Sequence, residues 1–254
     1  QVASGRRLVK GGIDAAGLAL SEQLRSDIAA LGQAVNNIES GANFVRVAEG
    51  GLATISDLLA RGRELSIQAA NGALGDAERQ TLNQVLSQLL TEIDRITATQ
   101  EFNGQPILNG NLAPGANNPV EIQAGIRSGP ENRISLNVIE ATDTQTLGLA
   151  TANVLTPQAA LQASDILGQA QQQVTARRGQ VGAVSNRLDI AARNARNTLV
   201  NLEASRGEIA DTDLPRALSD LGGKLLAVEA SVRTLALQIR QNESAVGRIL
   251  NINT

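Results

Sequence analysis

The last part of the chain carries apolar residues that recur at spacings of three and four. The regular positions are Leu214, Leu218, Leu221, Leu225, Val228, Val232, Leu235 and Ile239, and we call these eight residues the seam. Val246 and Ile249 continue the pattern further along. A helix with this spacing keeps its apolar stripe against a partner by supercoiling around it. The pattern therefore predicts a coiled-coil helix and a function in assembly.

Four more segments have helical periodicity. They cover residues 13–45, 52–70, 76–97 and 159–202, and Asp76 is placed to cap the third of them. Helices of ordinary globular domains average about 11–12 residues, so segments of this length predict an elongated antiparallel bundle. We expect a mainly α fold, with a helical core over residues 1–208 and the coiled-coil helix over residues 209–254.

One region changes to a period of two. Apolar residues alternate over residues 120–126 and again over residues 134–138, and Ser128, Gly129 and Pro130 between them have the composition of a turn. We therefore predict a β-hairpin at residues 120–138 that packs on one side of the helices.

The composition argues against catalysis. The chain has no cysteine and no histidine, so disulfides, thiolate metal sites, the usual general base and every Ser-His or Cys-His arrangement are absent. Glu92 and Asp94 lie two residues apart on a predicted helix, so they do not face one substrate. We predict no catalytic, cofactor-binding or metal site.

Charge and hydropathy narrow the class of partner. The 22 basic and 25 acidic residues give a net charge of −3 and are scattered along the helices, which does not indicate nucleic-acid binding. The short basic cluster at Arg6, Arg7 and Lys10 is typical of a solvated face or a contact between copies. The chain contains no run of about 20 apolar residues, so the sequence predicts no membrane-spanning helix. Because the chain contains no methionine, we expect that translation began upstream and that this is a processed or truncated piece.

Five strings occur in an order typical of one protein family. They are ASGRRLVKGGIDAAGLALSEQLRSDI, AEGGLATISDLLARGRELSIQAANG, LTEIDRITATQEFNGQPIL, TQTLGLATANV and QVGAVSNRLDIAARNARNTLVNLEASRGEIADTDLP. Through them the chain resembles bacterial flagellin over essentially its full length. The resemblance implies a secreted structural subunit of the flagellar filament, which the flagellar type III apparatus exports and which assembles with its own copies at the cell surface.

Two departures from the family pattern are informative. Long flagellins carry an outer variable domain after the TLGL string, whereas residues 154–161 here lead straight into the next helix. The chain thus resembles a minimal flagellin. The family also begins with a helix that pairs with the carboxy-terminal helix in the inner tube of the filament. That helix is missing from this chain, so we expect the seam to lack its partner within the same subunit.

The resemblance also implies partners and alternatives. An export chaperone would grip the seam, and the filament cap and hook-junction proteins would contact the assembled subunits. The alternatives are a junction protein similar to hook-associated protein 3, which shares a RELSIQAANG-like helix, and a flagellin-like cell-surface binding protein. The strings EFNGQPIL and TQTLGL favour flagellin.

A second candidate surface follows from the same resemblance. Its residues are Arg61, Arg63, Glu64 and Leu65. Arg61 and Leu65 stand where flagellins that activate the flagellin-sensing Toll-like receptor have contact residues, but Val85 and Leu89 replace a Glu and an Arg. Since loss of a charge-assisted pair weakens an interface, the resemblance implies weak recognition. In the simpler interpretation these charges serve protofilament packing.

Overall fold

The fold is described from a computed structural model that covers residues 14–117, 119–211 and 213–251, with side chains given up to residue 242 except at position 214. Its helices are α1 (Ala15–Ala69), α2 (Asp76–Thr99), α3 (Pro157–Ala210) and α4 (Leu214–Asn251). The expected mainly α class is confirmed. The chain divides into two compact units, Asp27–Val200 and the terminal segments before and after it. The expected boundary between residues 208 and 209 stays a prediction.

Helix α1 runs without a break through Gly50 and Gly51. The prediction of two separate helices over residues 13–45 and 52–70 was therefore wrong. Gly51 is buried, and a β-carbon there would lie 2.8 Å from Leu108 Cδ1 and 3.2 Å from Gln100 Cγ. The glycine allows the loop after α2 to approach α1 closely, and burial of the flanking Leu52 holds the helix through this point.

In the unit of residues 27–200, α2 and α3 both run antiparallel to α1. At Gly62 a β-carbon would lie 3.3 Å from Leu86 of α2 and 3.4 Å from Leu167 of α3, so the three helices converge there. Arg178 of α3 pairs with Glu49 of α1, with Nε 2.8 Å from Oε1. The fully buried large side chains include Ile38, Leu52, Ile55, Leu59, Leu86, Ile93, Ile107, Leu108, Leu112, Leu136, Ile139 and Leu147. The core thus lies between α1, α2, α3 and the loops after α2.

The connection from α1 to α2 is closed by a buried arginine. The Arg79 guanidinium donates to the backbone carbonyls of Ala69 (3.0 Å), Asn71 (2.9 Å) and Leu74 (2.6 Å). These carbonyls lie at and after the end of α1, where the last backbone C=O groups of a helix have no N–H donors within the helix. Arg79 therefore fixes the turn that brings α2 back along α1.

The start of α2 differs from the prediction that Asp76 caps it. Gly75 is the N-cap residue, and its backbone N–H donates to Glu78 Oε2 at 2.5 Å. Asp76 lies inside the first turn instead, where a carboxylate still interacts favourably with the positive end of the helix dipole.

The strands form two small antiparallel pairs. Strands β1 (Glu101–Phe102) and β2 (Gln105–Pro106) flank a tight turn that the pattern of apolar residues does not predict. Strands β3 (Glu121–Gln123) and β4 (Arg133–Ser135) form the predicted hairpin.

The paired strands β3 and β4 are shorter than the alternating apolar pattern over residues 120–138 predicts. The Gln123 side-chain amide donates to the carbonyls of Gly125 (2.8 Å) and Arg127 (2.7 Å), which curls the chain after β3. Pro130–Asn132 then forms a single 3-10 turn that leads into β4. Local side-chain bonds thus replace strand pairing at the tip of the hairpin.

We expect Arg79→Met to lower the free energy of unfolding by about 2–3 kcal/mol, because it removes three charged hydrogen bonds and leaves carbonyls unpaired. Urea unfolding followed by far-UV circular dichroism measures the change. The control is Arg61→Met, which loses an exposed pair with Glu64 and should change stability by less than about 1 kcal/mol. Equal effects of the two variants would contradict the role of Arg79.

Gly50 and Gly51 provide a second, matched comparison. A β-carbon at Gly50 meets nothing within 4 Å, so Gly50→Ala should raise stability by about 0.5–1 kcal/mol through better helix propensity. Gly51→Ala should lower it by about 1–2 kcal/mol, because the methyl group would push against the buried Leu108. Thermal unfolding of both variants checks the sign, and a stabilised Gly51→Ala protein would show that the loop moves away without cost.

Candidate functional site

Helix α4 carries the candidate assembly surface. It starts after Asp213, whose Oδ1 accepts a hydrogen bond from the backbone N–H of Arg216 at 3.1 Å. Pro215 lies in the first turn, where its missing N–H costs no helical bond. The local sequence therefore sets the start of a helix of 38 residues.

The seam is exposed along α4. The exposed fractions of its side chains range from 43% at Leu221 to 61% at Leu225 and Val228. Leu218, Val232, Leu235 and Ile239 fall within that range, whereas the side chains of Leu214, Val246 and Ile249 lie outside the described residues. The helix thus presents a continuous apolar stripe. Exposed apolar patches of this extent are typical of binding surfaces.

Two further leucines lie away from the seam. Leu226 is 69% exposed and Leu237 is 59% exposed. At about 100° per residue, both project from the half of α4 opposite to the seam. The 3-4 spacing did not select them because they belong to a different face. A helix that is apolar on two faces is typical of one that is contacted from two sides.

Charged residues on α4 leave the seam uninterrupted. Glu229 and Arg233 form an ion pair of 2.6 Å one turn apart. Such exposed pairs contribute little to stability, typically about 0.3–0.5 kcal/mol. The apolar residues of α4 therefore dominate its capacity for binding.

The second candidate surface, on α1, is only partly exposed. Arg61, Arg63 and Glu64 are exposed, and Arg61 pairs with Glu64 at 2.7 Å. Leu65 is only 4% exposed and belongs to the core, so it is not available to a partner in this structure. The surface that remains is made of charged side chains.

Arg63 also lines an open groove between α1 and α3. The groove has a volume of about 640 Å³ and is lined on α3 by polar and small residues that include Asp165, Gly168 and Gln172. The adjoining hollow contains Ile67, which is 56% exposed. The face is shallow and largely polar, which suits a contact with another protein surface better than a small molecule.

The carboxylates considered for chemistry are engaged in structural contacts. Glu92 accepts hydrogen bonds from Arg95 (2.7 and 2.6 Å), which lower the pKa of the Glu92 carboxyl and raise the pKa of Arg95. Asp94 accepts from the backbone N–H of Thr144 (2.8 Å) and from its hydroxyl (2.9 Å), so it holds the loop that precedes α3. The two carboxylates therefore bind different partners and do not face a shared substrate position.

Within residues 14–117, 119–211 and 213–251, no group of three acidic side chains is arranged to hold a metal ion. The helices of this described part also include none that is long and apolar enough to cross a membrane.

Family models match both halves of the chain. Residues 1–113 match the bacterial flagellin N-terminal helical region, and residues 164–248 match the bacterial flagellin C-terminal helical region. The chain belongs to the bacterial flagellin family. Residues 214–248 of α4 lie within the carboxy-terminal region of that family, and the α1–α2 hairpin lies within the amino-terminal region.

Flagellins from several bacteria are similar to the chain. The flagellar filament 30.7 kDa core protein of Treponema maltophilum is 34% identical over 93% of this chain and 85% of that protein. The flagellin of Halalkalibacterium halodurans is 32% identical over 98% of this chain and 89% of that protein. The crystal structure of Bacillus cereus flagellin aligns with a TM-score of 0.54 and 29% identity, over 63% of this chain and 88% of that structure.

Hook-associated proteins share the fold. A putative flagellar hook-associated protein from Vibrio parahaemolyticus aligns with a TM-score of 0.60 over 74% of this chain and 95% of that structure, at 16% identity. Because the identity is so low, this likeness concerns the fold alone. The flagellin relatives, at 30% identity and above, decide the family.

Proposed function

We propose that the chain is a structural subunit of the bacterial flagellar filament and that it assembles with its own copies through α4. The single observation that carries the proposal is the exposed seam on a helix of a flagellin-family chain. The family is a structural one, and a flagellar filament core protein and a flagellin are among the relatives that are similar to this chain. The protein would thus act outside the cell as part of the flagellum, and not as an enzyme.

Burial of α4 supplies the free energy for assembly. Burying a Leu, Ile or Val side chain contributes about 1.5–3 kcal/mol, and the seam offers seven such residues whose exposure the structure describes. A contact between different surfaces of neighbouring copies produces an open helical filament when its rotation does not close into a ring. Leu226 and Leu237, on the other half of α4, would meet a second neighbour in such a filament.

The same surface suits the other partners that the family implies. Before export, a chaperone would bind the seam as an amphipathic helix in an apolar groove. The filament cap and the hook-junction proteins would meet the subunits at the two ends of the filament. The junction-protein role itself is not favoured, since those proteins share only the fold with this chain.

We expect the double substitution Leu225→Asp and Val232→Asp to abolish filament growth and chaperone binding, because it places two charges in the centre of the seam. Growth from filament seeds, followed by sedimentation and electron microscopy, measures the first effect. Co-purification with the cognate export chaperone measures the second.

The matched control carries the same charge change on the other half of α4, as Ser219→Asp and Thr234→Asp. Both positions are exposed and polar, so the control should keep chaperone binding. If the seam variant bound the chaperone and grew filaments like the unaltered protein, the assembly site would lie elsewhere.

For the surface on α1 we propose a contact between protofilaments, with weak recognition by the flagellin-sensing Toll-like receptor. Arg61, Arg63 and Glu64 are available for ion pairs with a neighbour. Val85 is 37% exposed and Leu89 is half-buried, so the positions that would carry a receptor-contacting Glu and Arg are apolar. When one member of a charge-assisted pair is missing and the other is left buried and unpaired, the binding free energy of the interface weakens by about 2–5 kcal/mol.

The receptor proposal has a gain-of-function test. Val85→Glu together with Leu89→Arg should increase signalling in receptor-expressing reporter cells, since it restores the charges that strongly stimulating flagellins carry. The effect should require Arg61, so adding Arg61→Ala should cancel it. Unchanged signalling by the double variant would place the weak point of recognition at other residues.

A further inference from the structure

The turn between β1 and β2 contains an asparagine followed by a glycine in an exposed and weakly held segment. The register pairs Phe102 with Gln105, which leaves Asn103 and Gly104 as the two turn residues. Both have positive φ angles, 51° and 76°. Positive φ at both central positions is the geometry of a type I′ hairpin turn, for which Asn-Gly is a preferred sequence.

We propose that Asn103 is a site of spontaneous deamidation, in preference to the two other Asn-Gly pairs of the chain. In this reaction the Gly104 backbone nitrogen loses its proton to a base and attacks Asn103 Cγ. The side-chain amide nitrogen leaves as ammonia, and a five-membered succinimide forms. Water then opens the ring at either carbonyl, which gives aspartate or isoaspartate and requires no other reactant.

The first argument is the freedom of the Asn103 side chain. Within the described part of the chain it makes no hydrogen bond, and both Asn103 and Gly104 are exposed. By contrast, Asn71 Oδ1 accepts from the backbone N–H of Ala73, and Asn109 Oδ1 accepts from the backbone N–H of Asn111, each at 3.1 Å. Those hydrogen bonds fix the two side chains and so restrict the side-chain rotation that ring closure requires.

The second argument is how easily each turn opens. Ring closure needs the backbone to leave its native conformation. The tip is held by the two residue pairs of β1 and β2, and at their base the Ile107 N–H donates to the Gln100 carbonyl at 3.0 Å. The turn at Asn71 is held by Arg79, which donates to the Asn71 carbonyl at 2.9 Å and to two neighbouring carbonyls. Local openings of short, exposed elements cost much less free energy than openings of such tied segments.

The loop at Asn109 is tied as well. The Thr142 backbone N–H donates to the Leu108 carbonyl at 3.1 Å, and Leu108 is fully buried. Gly110 is half-buried, and its carbonyl accepts from the Ala113 N–H at 3.0 Å. Both sides of this Asn-Gly pair are thus fixed to the core or to the next turn.

Modification at Asn103 would reach the core through its neighbour. Phe102 packs edge-on against Phe44 of α1, with ring centroids 5.6 Å apart. Isoaspartate adds a carbon to the backbone beside Phe102 and introduces a negative charge at the turn. In a filament whose subunits are not replaced after assembly, such marks would accumulate with age; this last consequence rests on the proposed function, whereas the chemistry does not.

The test is peptide mapping by mass spectrometry after incubation of the folded chain in mildly alkaline buffer. Deamidation at Asn103 should be at least about fivefold faster than at Asn71 or Asn109, because of the difference in local opening. In urea, where the chain is unfolded, the three deamidation rates should become similar, because only the local sequence then determines each rate. Equal deamidation rates at the three sites of the folded chain, or a slower rate at Asn103 than at Asn71 or Asn109, would overturn the proposal.

A variant separates structure from sequence. Arg79→Met should accelerate deamidation at Asn71 and leave the rate at Asn103 unchanged. If this variant does not fold, the comparison of the folded and urea-treated unaltered chain still decides the question. Asn103→Gln provides the control spectrum, because it removes the reactive side chain and should abolish the modified Phe102-containing peptide.

Discussion

The packing of α1 against both α2 and α3 is the contact on which the rest of the unit Asp27–Val200 depends. Gly62 brings the three helices to within van der Waals distance at one level, and Gly51 does the same for the loop after α2. Every other element of this unit is fixed to that arrangement. The strands pack through Ile134 and Phe102, and the buried Leu108 and Leu112 hold the loop between them.

Polar contacts then select one register for these helices. Glu49 and Glu39 of α1 pair with Arg178 and Arg196 of α3. Exposed or half-exposed pairs of this kind add little free energy, but a slide of one turn would separate both at once. The acidic partners lie on α1 and the basic partners on α3, so the charges favour this pairing of helices over α1 with a copy of itself.

The sequence predicted elements with long apolar periods better than those set by single contacts. The seam and α2, α3 and α4 followed from 3-4 spacing, and the hairpin at residues 120–138 followed from alternation. The break proposed between residues 45 and 52 was wrong, because the helix continues through Gly50 and Gly51, where Gly51 allows close packing against the loop after α2.

The candidate sites show the same difference. Leu65 could have been assigned to the core, since it continues the buried spacing of Ile55 and Leu59 along α1. Arg79 could not, because a charged residue in the first turn of a helix normally faces solvent, and its carbonyl acceptors become apparent only in three dimensions. The sequence alone could not assign Leu226 and Leu237 to a binding surface, because that assignment depends on their exposure on the half of α4 opposite to the seam.

The close approach at Gly62 also has a mechanical consequence. Leucines from two helices lie against the same glycine, so an axial load on α1 is opposed by side chains that would have to climb over the next turn. Close-packed interiors have low compressibility and transmit strain, so the load passes from one helix to the next. A filament subunit that bears load benefits from this resistance, and the absence of a side chain at Gly62 makes the close packing possible.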